Sequence, residues 1–199
     1  MVYIANARIP TEKANGLQIM QNCEAFAQAG ADVRLWIPAR RNTADLDGVD
    51  PFLHYGVERR FTIERLPCID LMPLVPDRTD VLAQAIFWVQ WVTFTLMAFL
   101  RAFFTRADVF YSRDALILLA LSWIRPKRAL AYEAHSMTRI GRMAARRVGF
   151  VVTTTGRLAE EMTAAGAERV LAAHDGIRAA RFETLLDRSA ARWAVGWET

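Results

Sequence analysis

The chain has 199 residues, 53% hydrophobic and 23% charged, with a formal net charge of +4. At roughly 100–200 residues per domain this is one domain, or about one and a half, and it can bury a full core without staples. High apolar content with modest charge excludes a disordered chain, and 10 Gly with 7 Pro exclude a collagenous or linker composition.

Cys23 and Cys68 are too few for a disulfide framework and fit free thiols in a reducing compartment. His54, His135 and His174 lie far apart with no CxxC nearby, which argues against structural zinc. The positive balance is made of arginine, with Lys13 and Lys127 the only lysines. Such a surface permits anionic partners without choosing among them. Arginine bias also follows from a GC-rich genome. Met1–Asn6 is too short for the apolar core of a secretory signal.

In chain order, Val2–Ala7 reads as a first strand, followed by the polar stretch Arg8–Asn15. From Gly16 the apolar residues Leu17, Met20, Cys23 and Ala27 recur at helical spacing until Gly30. Asp32–Pro38 is a second strand, and Ala39–Val49 a loop. Phe61–Leu66 is a third strand, leading into an irregular stretch up to Pro76. Asp80–Thr105 is a long helix, Ala107–Ser112 a strand and Ala115–Ile124 a helix. Arg128–Ala134 is a strand, and Ser136–Arg147 a short basic helix with Ser136 as its cap. Phe150–Thr155, Arg157–Ala165 and Arg169–Ala173 complete the strand–helix–strand pattern. The alternation predicts an α/β fold: a Rossmann-like open, mostly parallel sheet of six or seven strands flanked by helices. Ligands of such sheets sit beyond the carboxyl ends of the strands.

Val81–Leu100 holds twenty residues without a charge. By length it qualifies as a membrane span. Gln84, Gln90, Thr93 and Thr95 dilute it, and strands on both sides would force one sheet to straddle a bilayer. The expectation is a helix of the α/β domain, buried or partly lipid-facing. An interfacial or partner-docking helix is the other reading.

Four groups of residues carry candidate chemistry. Asn15 and Gly16 stand between the first strand and first helix, where backbone amides and the helix dipole attract phosphate. No G-x-G-x-x-G or Walker motif accompanies them, and a plain helix-start glycine is the competing reading. His135 follows a strand at the ligand edge and can exchange a proton or hold a hydroxyl. A capping histidine is its alternative. Arg139, Arg142, Arg146 and Arg147 can bind phosphate or form a solvated face. Ser112, Asp114, His135 and Ser136 allow only a weak hydrolase reading without a G-x-S-x-G elbow. Charge alone also permits nucleic acid, which is not the expected partner.

The segments YIANARIPTEKANGLQIMQNCEAFAQAGADVRLWIP, DVFYSRD, LAYEAHS, VVTTTGRLAEEMTAAGA and RVLAAHDGIRAARF, in that order, carry a resemblance. The chain resembles the amino-terminal, acceptor-side domain of retaining GT-B glycosyltransferases of the large family usually numbered four. The likeness spans about residues 2–183, with residues 184–199 beginning the segment toward a second domain.

The resemblance implies transfer of a sugar from a nucleotide-sugar to a glycan or lipid-linked acceptor, in a cleft between two domains. It places Asn15 and Gly16 by the donor diphosphate and His135, as the catalytic residue, at the reacting sugar. Arg113, Asp114 and Arg139 become acceptor-binding candidates, and Asp175-Gly176 begins the hinge before Ile177, Arg178 and Phe182. No cofactor or metal is implied, the nucleotide-sugar being a substrate. The family's paired glutamates belong to the carboxy-terminal domain. Glu160 and Glu168 share their spacing of eight but precede the hinge. The chain is therefore expected to need a donor-binding domain, in trans if not in line. Its expected location is the cytoplasm, peripheral at the inner face of the membrane. A non-catalytic interaction or membrane-docking module is the alternative.

Overall fold

A computed structural model gives the fold and describes residues 1–74, 80–176 and 186–197. Pro76, Ile177, Arg178, Phe182 and the expected domain boundary at 183 lie outside the described residues. Seven strands form one sheet: β1 Val2–Ile4, β2 Arg34–Pro38, β3 Thr62–Leu66, β4 Phe110–Ser112, β5 Leu130–Ala134, β6 Phe150–Thr153 and β7 Val170–Ala172. Their order is β3-β2-β1-β4-β5-β6-β7, and every neighbouring pair is parallel. The helices are α1 Ala14–Gln28, α2 Pro51–Tyr55, α3 Val81–Phe104, α4 Ala115–Leu121, α5 Arg139–Ala145, α6 Gly156–Ala164 and α7 Arg188–Ala194.

The central strands β1 and β5 are buried along their whole length, as strands covered on both faces must be. The chain steps outward from β1 to β2 in one direction and from β4 to β5 in the other. Right-handed crossovers then put the connecting helices on opposite faces. Two cores result. Ile19, Met20 and Cys23 of α1 and Phe52 and Tyr55 of α2 pack with Tyr3, Leu35 and Tyr111 on one face. Phe94 and Ala98 of α3, Leu118 of α4, Ala144 of α5 and Met162 of α6 pack with Ile4, Trp36 and Phe110 on the other. The winding direction changes between β1 and β4, which opens a crevice at their carboxyl ends.

Local chemistry adjusts several expected boundaries. The first strand stops at Ile4, and α1 begins two residues before Gly16. The basic helix starts at Arg139, because Thr138 rather than Ser136 caps it. The Thr138 hydroxyl accepts from the Gly141 amide at 2.9 Å. α2 and α7 add helices that the apolar periodicity leaves unmarked, each capped by an aspartate, Asp50 and Asp187.

α3 has 24 residues, and Asp80 caps it by accepting from the Ala83 amide at 3.2 Å. Among the described residues it is the helix long and apolar enough to cross a membrane. Its inner face is committed to the sheet: Phe94, Ala98 and Ala102 are fully buried, the two alanines bringing the backbone close. Gln90, also buried, donates to the Asn6 side chain at 3.0 Å. The outer face carries Leu82, Val89, Val92, Leu96, Leu100 and Phe103, all exposed and spaced three, four or seven apart. At about 1.5 Å per residue this apolar stripe runs for roughly 30 Å.

Candidate functional site

The crevice at the carboxyl ends of β1, β4 and β5 holds a cavity of about 500 Å³. Its wall includes Asn6 after β1, Asn15 on α1, Arg113 and Asp114 after β4, and His135 after β5. Phe87, Trp88 and Trp91 at the start of α3 close one side. The sheet topology thus gathers four of the expected residues, Asn15, Arg113, Asp114 and His135, around one space.

Glu133, buried near the end of β5, does not line this cavity; it lines another of about 500 Å³, with Gln18, Asn22 and Tyr111. The strand register explains its surroundings. Tyr3 pairs with Tyr111 across β1 and β4, and Tyr111 pairs with Ala131 across β4 and β5. Side chains alternate along a strand, so Glu133 and His135 follow Ala131 on its face, and Arg113 follows Tyr111. The Tyr3 and Tyr111 hydroxyls each donate to Glu133 Oε2 at 2.9 Å. His135 Nε2 lies 2.7 Å from Glu133 Oε1, and Arg113 Nε lies 3.6 Å from the same oxygen.

Burial pushes the Glu133 carboxyl up, but His135, Arg113 and the two tyrosines outweigh burial and hold it below the usual glutamate range. The side chain is therefore an anion at neutral pH. Burial and the adjacent Glu133 charge raise both tyrosine hydroxyls, which stay protonated donors. An anionic acceptor fixes the imidazole tautomer with hydrogen on Nε2. In the neutral imidazole this leaves Nδ1 as the acceptor, and His135 lines the cavity. Glu133 escaped the sequence reading. The available signal was a carboxylate inside an otherwise apolar strand, LAYEA.

Asp114 serves two structural partners. One carboxylate oxygen accepts from the Leu116 amide at 3.0 Å and the Ile117 amide at 3.5 Å, capping α4. The other accepts from the Trp91 indole. Burial raises the Asp114 carboxyl to about 6, despite those three hydrogen bonds. Gly16 is buried away from the cavity wall, and its amide donates to the Lys13 carbonyl at 3.0 Å. A Cβ at Gly16 would stand 2.2 Å from the Tyr55 hydroxyl and 2.6 Å from a Thr11 methyl, which gives the glycine a packing reason. Asn15, its neighbour, is the member of the pair on the cavity. Arg139 is exposed at the start of α5 and does not line this cavity, although Thr138 and Ile140 beside it do.

The remaining motif residues lie elsewhere. The Ser112 hydroxyl is buried and donates to the Ile4 carbonyl at 2.7 Å, so it holds strands together. Glu168 precedes β7 at the opposite edge of the sheet and pairs with Lys127 at 2.9 Å. Asp175 accepts a hydrogen bond from the Gln18 side chain of α1.

No protein-family model matches the chain, and no curated protein matches it as a relative. Among solved structures, the fold resembles a lipopolysaccharide outer core galactosyltransferase, WaaB, in its apo form. The identity is 12% and the TM-score 0.55, over 88% of this chain and 45% of that one. The chain thus spans about half the length of that transferase. What the two share is the fold: a Rossmann-like open parallel sheet flanked by helices, of the kind that makes up half of a GT-B enzyme.

Proposed function

We propose that the chain is the acceptor-side domain of a retaining GT-B glycosyltransferase, with residues 1–183 forming that domain and the following residues leading toward a donor-binding one. The observation that carries this reading is the Glu133–His135 pair at the end of β5, one strand from the topological switch point. A histidine anchored by a buried carboxylate is oriented and fixed in tautomer, as a residue facing reacting hydroxyls must be. In this role Nδ1 accepts a hydrogen bond from a hydroxyl of the sugar or the acceptor. The bond from the anomeric carbon to phosphate oxygen breaks, and one to the acceptor oxygen forms. The acceptor proton leaves with the departing diphosphate. Arg113 and Asn15 border the same space and contact substrate. Catalysis requires a donor-binding domain, continuous with this chain or supplied in trans, and the nucleotide-sugar is a substrate rather than a resident cofactor.

The acceptor in this proposal is glycan or lipid-linked, and the domain works in the cytoplasm against the membrane's inner face. The outer stripe of α3 supports the peripheral contact. Its far end carries Phe103 and Phe104, and Trp123 after α4 is 78% exposed. Arg125 holds the Thr105 carbonyl at 2.7 Å and also bonds to Ala102 at the end of α3, which brings the Trp123 turn beside it. Arg147 stacks over Trp123 at 5.5 Å. Arg106, which precedes β4, is also exposed. Aliphatic surface, aromatics and arginines together suit an anionic bilayer. The near end of the helix lines the His135 cavity, so a stripe lying on lipid brings that cavity to the interface. The same stripe favours the alternative, a non-catalytic membrane-docking module.

Reading the coding sequence and neighbouring genes for a second Rossmann-like domain with paired glutamates discriminates the two. Finding one supports the transferase. Finding none in the same gene or its neighbours favours the docking module.

A further inference from the structure

Another cavity, of about 640 Å³, adjoins the His135 cavity, sharing Asn6, Ala7, Asn15 and Phe87 with its wall. Its chemistry differs. Among the described residues, Arg8, Lys13, Arg40 and Arg41 line it, and Asp70 is the lining carboxylate. Asp70 is occupied: it accepts from the Arg41 amide at 3.0 Å and lies 3.5 Å from Arg40 Nε. Glu12, outside the lining, stands 3.8 Å from Arg8. Among the described residues, the Arg41 guanidinium and the Lys13 ammonium have no ion-pair partner. The loop beneath them is held in place. Asn42 donates to the Pro10 carbonyl at 3.0 Å and the Leu46 carbonyl at 3.1 Å, and Arg65 donates to the Ile9 carbonyl at 3.2 Å.

Unpaired cations converging on a concave, preorganised pocket beside the reacting site are suited to a phosphate, which guanidinium forks bind through several charge-assisted hydrogen bonds. We infer that this cavity binds a phosphate or diphosphate group belonging to the acceptor, held while the acceptor hydroxyl reaches the His135 cavity. Assigning the anion to an acceptor rests on the transferase reading. The anion site itself stands on the cavity, and its test involves no sugar transfer, so the two can fail separately.

The experiment is calorimetric titration of the whole chain with inorganic pyrophosphate at low ionic strength. The wild type is expected to show one saturable site. The double variant Lys13→Ala/Arg41→Ala is expected to weaken it by about tenfold or more while keeping its melting temperature. Arg157→Ala, on the exposed face of α6, is expected to leave binding unchanged. Absence of saturable binding up to about 10 mM, well past a millimolar affinity, overturns the inference. So does a double variant that binds as the wild type does. Repeating the titration with phosphatidic acid vesicles present separates the sources. Loss of pyrophosphate binding there, and not with phosphatidylcholine vesicles, assigns the phosphate to a lipid headgroup. Binding that persists assigns it to a soluble acceptor, and the site stands in either case.

Discussion

His135 Nε2 and Glu133 Oε1 face each other at 2.7 Å across two positions of one strand end, while two tyrosines from neighbouring strands hold the other carboxylate oxygen. The contact exists because residues two apart on a strand share a face. Glu133→Gln keeps the side chain's size but removes the charge that fixes the imidazole. The variant is expected to lose about 1–3 kcal/mol of stability, as a buried charge-assisted network loses its acceptor. In nitrogen-15 NMR, His135 of the wild type is expected to show the Nε2-protonated tautomer, and the variant a mixture. An unchanged tautomer in the variant would show that Glu133 does not set it.

The two buried carboxylates give opposite pH dependences. Asp114 titrates near 6 in the fold, above its ordinary 3.8. The native state therefore binds protons more readily than the unfolded chain, and this group's contribution falls as pH rises from about 4 to 6. The difference amounts to about 2–3 kcal/mol. Glu133 is held below its ordinary range, so its contribution is present at neutral pH and is lost as pH falls below about 4. Melting temperature should therefore rise on acidification from neutral pH into that window and then drop. Asp114→Asn retains an N-cap and should flatten the rise. A wild type with no rise contradicts the assignment.

Gly16→Ala places a methyl against Tyr55 and Thr11, whose backbone the Tyr55 hydroxyl bridges at 2.6 and 2.9 Å. Overpacking of this kind costs about 1–3 kcal/mol. The loss should be smaller in a Tyr55→Phe background, because the nearest atom is gone. A double-mutant cycle by urea denaturation reads the coupling, and additive losses would count against the packing role.

The outer face of α3 predicts co-flotation with anionic vesicles. Leu96→Asp with Leu100→Asp puts two charges on positions 53% and 45% exposed, where they cost the fold little. Binding should fall to background while the circular dichroism is kept. If flotation is undiminished, lipid meets another surface. If the wild type is a dimer that the same pair dissociates, a second copy rather than lipid covers the stripe.

The alternation of strands and helices was legible because each strand is a short apolar run and each long helix shows its period. Gly30 and Gly166, both at positive φ, mark two helix ends openly. Helix starts were less legible. Ser136 and Thr138 have similar capping chemistry, and only the position of Gly141 against Thr138 and Tyr132 decides between them. His135 could be picked from its place after a strand. The rest of the Glu133 network could not be read, because Tyr3 and Tyr111 are 130 and 22 residues away and meet it only through the sheet register. Gly16 suggested a phosphate loop from local sequence alone, since its packing partner Tyr55 comes from a distant helix.

The central claim is that His135 serves sugar transfer. Its most direct test uses the full-length product of the gene encoding this chain, together with any separately encoded donor-binding domain. Nucleoside diphosphate release from a panel of nucleotide-sugars is measured with a membrane extract as acceptor source, comparing wild type with His135→Ala. The account predicts acceptor-dependent release that falls at least about 100-fold in the variant at unchanged melting temperature. Equal release by wild type and variant, or no release from any donor, would contradict it.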